Sequence, residues 1–512
     1  MKFIIFSVLL TLGSSNAYKI LCIFPVPSRS HDNLGQGFVK PLLKAGHEVT
    51  WVTPFPDKNK PQKGLTIIGV SETQDITNKV DPLIMRKWSI ATLNAFGRNI
   101  SVAAATNPAV QAALVNEKFD AVITENFFSD LQSGFAAVQQ APWLLLCGSV
   151  LHASAEALVD DVRSAPLIPN LLSDFPIPMN LWQRLANTFV VGLIVLGGWL
   201  DIGPNEVDYK QIFGPLAEKR GVVLPPYSEV IYNISVLFVN SHPSIAPAQS
   251  LPPNVVDIAG YHIESHHAPL PKDLQELMDK STQGVIYFSM GSVVKAAGIP
   301  QQTRKDIIRI FGALPYTVLW KFEEHLEGLP KNVHIRPWMP QPAILAHPNT
   351  KLFITHGGLL STLEAIQAGV PLLVVPVFGD QPGNARRAER AGYAVSVPFS
   401  ADMGEKLKAA LDEVLGDDRY YKKAKFLSRL FNNRPAPPSK MIAHYVELAI
   451  ETQGAYHIRS TTRFYKWYER YMLDQLAVLA IALFVIYKLL KLALQRAWKL
   501  ITGQKTQKQK KH

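Results

Sequence analysis

Cysteine is almost missing from this chain of 512 residues, which has only Cys22 and Cys147. Both fall in apolar segments, KILCIF and APWLLLCG, that read as central strands. Two separate buried thiols are therefore expected, not a bridge. Low-complexity blocks are also missing, and the hydrophobic (47%) and charged (18%) fractions are those of a folded protein, which excludes a largely disordered chain. Acidic residues are absent from 488–512, where eight Lys or Arg stand, so eight of the +11 net charge sit in that tail. The +3 left elsewhere is too little to imply a nucleic-acid partner.

What is present at the two ends points to a membrane. MKFIIFSVLLTLGSSNAYK has Lys2, an apolar run over 3–12 and the small residues Ser15-Asn16-Ala17. It reads as a signal peptide over 1–17, the alternative being a buried first strand. Near the other end, the uninterrupted apolar run 476–487 falls short of the roughly 20 residues a bilayer needs. Extended over 473–494, with Lys488 and Lys491 reaching toward the headgroups, it becomes a transmembrane helix, the alternative being a helix lying in the interface. The basic tail 495–512 is then cytosolic and the rest lumenal. The ending KQKKH places Lys508 and Lys510 as in a dilysine signal for return to the endoplasmic reticulum, or is simply a solvated basic tail. In such a compartment the sequons at Asn99 and Asn233 are candidate glycosylation sites.

Between the ends, short apolar runs alternate with helix-like stretches, first over 18–240 and again over 284–440. At this length two domains are expected, each a parallel sheet covered by helices. Residues 241–283, rich in Pro, His and polar groups, read as an interdomain linker, and 441–472 as a closing helix with a juxtamembrane segment. Within the linker, His262, Glu264, His266 and His267 have a superficially metal-like spacing, but loop sequence lacks the rigid scaffold a zinc site needs. The segment 181–204 is a core helix, a bilayer contact or the wall of an apolar pocket.

KLFITHGGLLSTLEAIQAG, residues 351–369, runs from strand through His356-Gly357-Gly358 into a helix closed by Gly369. Glycines that let a ligand approach, next to a helix N-terminus, make an anion site suited to phosphate, to which His356 can donate. Ser361 and Glu364 have the spacing of a capping box, and Glu364 is alternatively free to accept from ribose hydroxyls. Trp338 offers a flat face for a base, Gln341 an amide, and Asp380-Gln381 a carboxylate and an amide at the end of a buried run.

The order Trp338, Gln341, THGG, Glu364, PLLVVP, Asp380-Gln381 resembles the signature of the UDP-glycosyltransferases, which include UDP-glucosyl- and UDP-glucuronosyltransferases. FSMGS over 288–292 and the features of both ends extend the likeness to nearly the whole chain, and THGGLLST is similar to the insect or invertebrate branch. The resemblance implies an α/β GT-B fold: two Rossmann-like domains facing a cleft, acceptor on the first and UDP-sugar on the second. It implies that Trp338 stacks on uracil, Gln341 contacts the uracil–ribose part and Glu364 binds ribose. Ser289, Gly291, Ser292, His356, Gly357, Gly358 and Ser361 would surround the diphosphate, and Asp380 and Gln381 would hold the sugar. Vertebrate relatives commonly have Asn-Gly where this chain has Leu360-Ser361, so Ser361 or backbone N–H groups must replace a side-chain amide on phosphate.

Inverting transfer needs a base for the acceptor hydroxyl. His31 in SRSHDN, after the first strand, matches the family's N-terminal motif and has the right intrinsic pKa. Of the carboxylates in FDAVITEN, Glu125 rather than Asp120 stands at the strand end where His31 is expected, although the family commonly has Asp there. His47 in GHEV resembles a structural position. No Asp-x-Asp triplet occurs, so no metal and no cofactor are expected, and helix N-terminus, backbone amides and His356 would stabilise the leaving diphosphate. The expected activity moves a hexose, with glucose favoured by the insect-like branch, to a small lipophilic acceptor in detoxification or metabolite conjugation. A membrane lipid or sterol glycosyltransferase and a catalytically silent nucleotide-sugar binder are the alternatives, and a homo-oligomer is left open.

Overall fold

Runs such as KILCI, WLLLC and VIYFS are apolar on both faces, the pattern of strands covered by helices on each side. The computed structural model describes residues 17–58, 61–78, 88–160, 164–170, 173, 175–263, 268–291, 299–400 and 402–509. Its first sheet contains β1 (Lys19–Ile23), β2 (Glu48–Thr53), β3 (Leu65–Gly69), β4 (Ala121–Glu125), β5 (Trp143–Cys147), β6 (Ile234–Val239) and β7 (Val255–Asp257). The second contains β8 (Val285–Ser289), β9 (Thr317–Lys321), β10 (Val333–Arg336), β11 (Thr350–Thr355), β12 (Leu372–Val374) and β13 (Ala394–Ser396).

All strand pairs are parallel. The orders are β3-β2-β1-β4-β5-β6-β7 and β10-β9-β8-β11-β12-β13. Each order reverses once, between β1 and β4 and between β8 and β11. Ile20 pairs with Ala121 at the first reversal and Ser289 with Thr355 at the second. Such reversals open a crevice at the carboxyl ends of the strands. Alternate residues feed opposite faces: Leu21 and Ile23 enter one core of the first sheet, Ile20 and Cys22 the other. Both cysteines are buried and form no disulfide, as their apolar segments imply.

The chain divides into one compact unit up to Arg459, holding both sheets, and a second from Ser460. In the first unit, part of the expected linker is ordered structure: β7 extends the first sheet, and Lys272–Lys280 is a helix. Glu264, His266 and His267 lie outside the described residues. Helix Pro438–Glu451 buries Ile442, Val446 and Ala449 in the core of the first sheet. The expected closing helix therefore returns to the N-terminal half. His47 Nε2 fastens it there through Glu447 at 3.1 Å.

The stretch 181–204 is part of one helix, Leu181–Arg220, entered through an Asn180 capping box. Its later half packs Tyr209, Phe213 and Leu216 into the first sheet's core, whereas Leu181, Trp182, Leu185 and Phe189 stay exposed. In the second unit, helix Leu473–Gln509 includes an apolar stretch, Leu473–Thr502, of 30 residues, long enough to cross a bilayer. Residues 1–16 and Lys510 lie outside the described residues.

Candidate active site

The first reversal sets His31 against Glu125. The helix that follows β1 begins at Arg29, because Ser28 caps it by accepting from the His31 N–H. His31 therefore stands in the first helical turn. Glu125 ends β4, and its side chain is 1% exposed. His31 Nδ1 and Glu125 Oε1 are 2.5 Å apart. Asp120, before the other end of β4, accepts the Lys19 N–H at 2.8 Å. Asp32 is buried and accepts from Thr53 Oγ1 at 2.9 Å, anchoring the turn that carries His31.

The second reversal brings Ser289, Gly291, His356, Gly357 and Gly358 together; Ser292 lies outside the described residues. The His356 ring is wedged between two glycines, since a Cβ on Gly291 or Gly358 would lie 2.6 Å from it. Gly291 and Gly357 adopt φ of +77° and +83°, conformations that only glycine takes without strain. Burial, reinforced by the charge of Lys321, pushes the His356 imidazole down to about 4. It is thus a neutral donor, not the source of positive field that its position invites. That charge belongs to Lys321 at the end of β9, whose Nζ donates to Gly291 O at 2.8 Å and to Glu323 at 2.9 Å. Nothing in its immediate sequence, VLWKF, distinguished it.

The capping-box reading of Ser361 fails for a positional reason. Helix Leu359–Ala368 starts two residues before Ser361, with Gly358 at its N-cap and no side-chain cap. Ser361 Oγ instead receives Gln341 Nε2 at 3.0 Å, and the same amide reaches Glu364 Oε2 at 2.7 Å. Glu364 is left facing a cavity of about 180 Å³ lined by Ile263, Pro342, Ala346, Gln367 and Ala368. Burial raises its carboxyl to about 7, against the opposing Gln341 bond. Trp338 is 60% exposed, an aromatic face with room for a partner.

Asp380 precedes helix Gln381–Arg390, and its Oδ2 accepts from Asn384 at 2.7 Å. Asn384 also donates to Gly357 O at 2.8 Å and accepts from Arg387. This Asn384–Arg387 support was not foreseen. Gln381 differs from expectation in part: its Oε1 receives the N–H groups of Val377 and Phe378 at 2.8 and 3.1 Å, which commits the amide oxygen to the loop.

Burial pushes the Asp380 carboxyl up, while Asn384, Arg387 and, from the other sheet, His31 pull it down. The His31 charge thus reaches Asp380 from the first sheet. Leu360 packs into the first sheet's core, and Val150 and Ala259 pack into the second's. Aromatic rings line the side of His31: Phe127 meets it edge-on at 4.9 Å, followed by Phe96 and Trp88. Asn99 is exposed in helix Ile90–Thr106, and Asn233 is exposed with its Oδ1 bound by Arg459 at 2.7 Å.

The chain is similar to known proteins over most of its length. The family described as UDP-glucoronosyl and UDP-glucosyl transferase matches residues 65–507. A UDP-glucosyltransferase 2 of Dactylopius coccus is 33% identical, covering 99% of this chain and 98% of that one. An ecdysteroid UDP-glucosyltransferase of Spodoptera littoralis nuclear polyhedrosis virus is 28% identical, over 95% of this chain and 99% of its own. Among solved structures, the calicheamicin glycosyltransferase CalG4 superposes with a TM-score of 0.58 at 19% identity, covering 85% of this chain and 99% of CalG4.

Proposed function

Because the chain belongs to the UDP-glucuronosyl- and UDP-glucosyltransferase family, and so is an enzyme of GT-B fold moving a sugar from a UDP-sugar, we propose inverting transfer of glucose to a small lipophilic acceptor, with His31 as base. The acceptor hydroxyl gives its proton to His31 Nε2, and its oxygen attacks the anomeric carbon. The bond from that carbon to the diphosphate breaks, and UDP leaves. Glu125, bound to Nδ1, orients the imidazole and stabilises the cation that forms.

Uracil stacks on Trp338, the ribose hydroxyls donate to Glu364, and the sugar is held by Asp380 with the Gln381 amide beside it. The first-turn N–H groups of Leu359–Ala368, the Lys321 ammonium and the neutral His356 donor stabilise the leaving diphosphate. These groups, with the missing Asp-x-Asp triplet, support transfer that needs no metal. EDTA should leave the rate unchanged, and loss restored by magnesium or manganese would refute this. The span Leu473–Thr502 and basic tail support anchorage in the endoplasmic reticulum membrane with the catalytic domains lumenal and Asn99 and Asn233 glycosylated.

The observation that carries the proposal is the 2.5 Å His31–Glu125 pair at the first reversal, with Asp380 of the second sheet within reach of the His31 charge. The aromatic wall of Phe127, Phe96 and Trp88 favours a flat lipophilic acceptor serving detoxification or metabolite conjugation. The exposed apolar half of Leu181–Arg220 favours, as a second reading, a sterol or lipid taken from a bilayer. Microsomes bearing the protein, given several UDP-sugars and a panel of phenols, alcohols and sterols, separate the two by product mass. His31→Ala should lower kcat about 10²–10⁴-fold with UDP binding retained. Full activity in that variant would remove the base assignment, and an inactive wild type that still binds UDP would make the protein a silent binder.

A further inference from the structure

His262 is buried, its side chain 2% exposed, yet neither ring nitrogen has a hydrogen-bond partner of good geometry. Buried polar side chains are rarely left so. Nε2 lies 3.8 Å from Glu364 Oε1, and the Leu360 backbone is also within reach of the ring. Glu364 Oε2 is already held by Gln341 at 2.7 Å. The next residue, Ile263, lines the cavity of about 180 Å³ onto which Glu364 opens, more than the roughly 150 Å³ that admits a benzene-sized ring.

The turn bearing His262 is fixed from both sides. Gly260 has φ +78°, and a Cβ there would meet Phe431 at 2.8 Å. Tyr261 packs on Phe38 with ring centroids 5.1 Å apart. Phe38 belongs to the helix whose first turn carries His31.

We propose that His262 is a positioning residue for the nucleotide, donating to Glu364 Oε1 so that the carboxylate is held between two side chains and turned toward the ribose hydroxyls. The inference rests on the donor-site reading above and adds to it a residue of the interdomain segment. A carboxylate offers about four acceptor sites. Gln341 fills one and His262 a second, which leaves two for a vicinal diol. The 3.8 Å separation needs to shorten by about 1 Å to reach a normal bond. Burial pushes the imidazole down to about 4, so the ring keeps a single N–H to give at neutral pH.

The test compares UDP with 2′-deoxy-UDP as probes, in wild type and in His262→Leu, His262→Ala and His262→Gln, together with UDP-sugar kinetics. Wild type is expected to prefer UDP. In His262→Leu and His262→Ala that preference should collapse, UDP binding weakening about tenfold and 2′-deoxy-UDP binding little. KM for the UDP-sugar should rise with kcat and acceptor KM nearly unchanged. His262→Gln, which restores an N–H donor, should recover most of the preference. His262→Leu fills the buried site without an unpaired polar group, so its Tm should not fall. An unchanged UDP to 2′-deoxy-UDP ratio in His262→Leu, or equal losses for both probes, overturns the inference. A wild type that binds neither probe refutes the donor-site reading itself.

Discussion

Glu364 illustrates how much a single residue's environment decides. Its carboxyl is raised to about 7 by burial, whereas accepting from both ribose hydroxyls at once is strongest in the ionised form, in which both oxygens are acceptors only. Binding of UDP-glucose, whose diphosphate does not titrate in this range, should weaken about tenfold between pH 8 and pH 6, one pH unit below the pKa. Titration calorimetry checks this, and Glu364→Gln should bind weakly but with no pH slope. The same shift acts on folding with a definite sign. Between the ordinary carboxyl pKa and about 7 the unfolded chain has lost the proton and the folded chain keeps it, so stability falls as pH rises through that window. Glu364→Gln should flatten that part of the Tm–pH curve. Glu364 itself was legible in the sequence, but its choice between cap and ribose acceptor was not. That choice depends on where a helix starts to within two residues, and local sequence fixes ends less firmly than existence.

At the scale of elements, the loops that turn from strand to helix carry the chemistry, and glycine shapes them. Gly357 has φ +83°, and a Cβ there would lie 2.6 Å from Val374 Cγ1. Gly357→Ala should therefore cost about 1–3 kcal/mol, read as a lower Tm, and should weaken UDP binding because the anion loop shifts. The long apolar strands KILCI, AVITE, WLLLC, VIYFS and TKLFIT were readable because burial on both faces writes a continuous run. β7, of three residues, was not, because so short a segment has no period to detect and lies among prolines and histidines. Lys321 was missed for a related reason. A lysine ending a strand has no signature until its neighbours across the sheet, Gly291 and His356, are known.

At the scale of the whole molecule, helix Pro438–Glu451 ties the chain's later part to the first sheet. Ile442, Val446 and Ala449 are fully buried there. Ile442→Ala should cost about 2–5 kcal/mol, seen as a lower midpoint in denaturant followed by tryptophan fluorescence. Deleting 473–512 should move the protein from the membrane pellet to the soluble fraction if Leu473–Thr502 is its anchor, and continued sedimentation would shift attention to the exposed half of Leu181–Arg220. The sequence alone determined the two-sheet α/β architecture, the apolar C-terminal helix and the residue types of the donor motif, because hydrophobic period and glycine placement are local properties. Strand order, and with it the pairing of His31 with Glu125 and of Ser289 with Thr355 at the two reversals, was decided only in three dimensions. So were the return of the late helix and the approach of His262 to Glu364. Contacts between residues about a hundred positions apart arise from packing whole elements against one another, and no local pattern encodes which elements become neighbours.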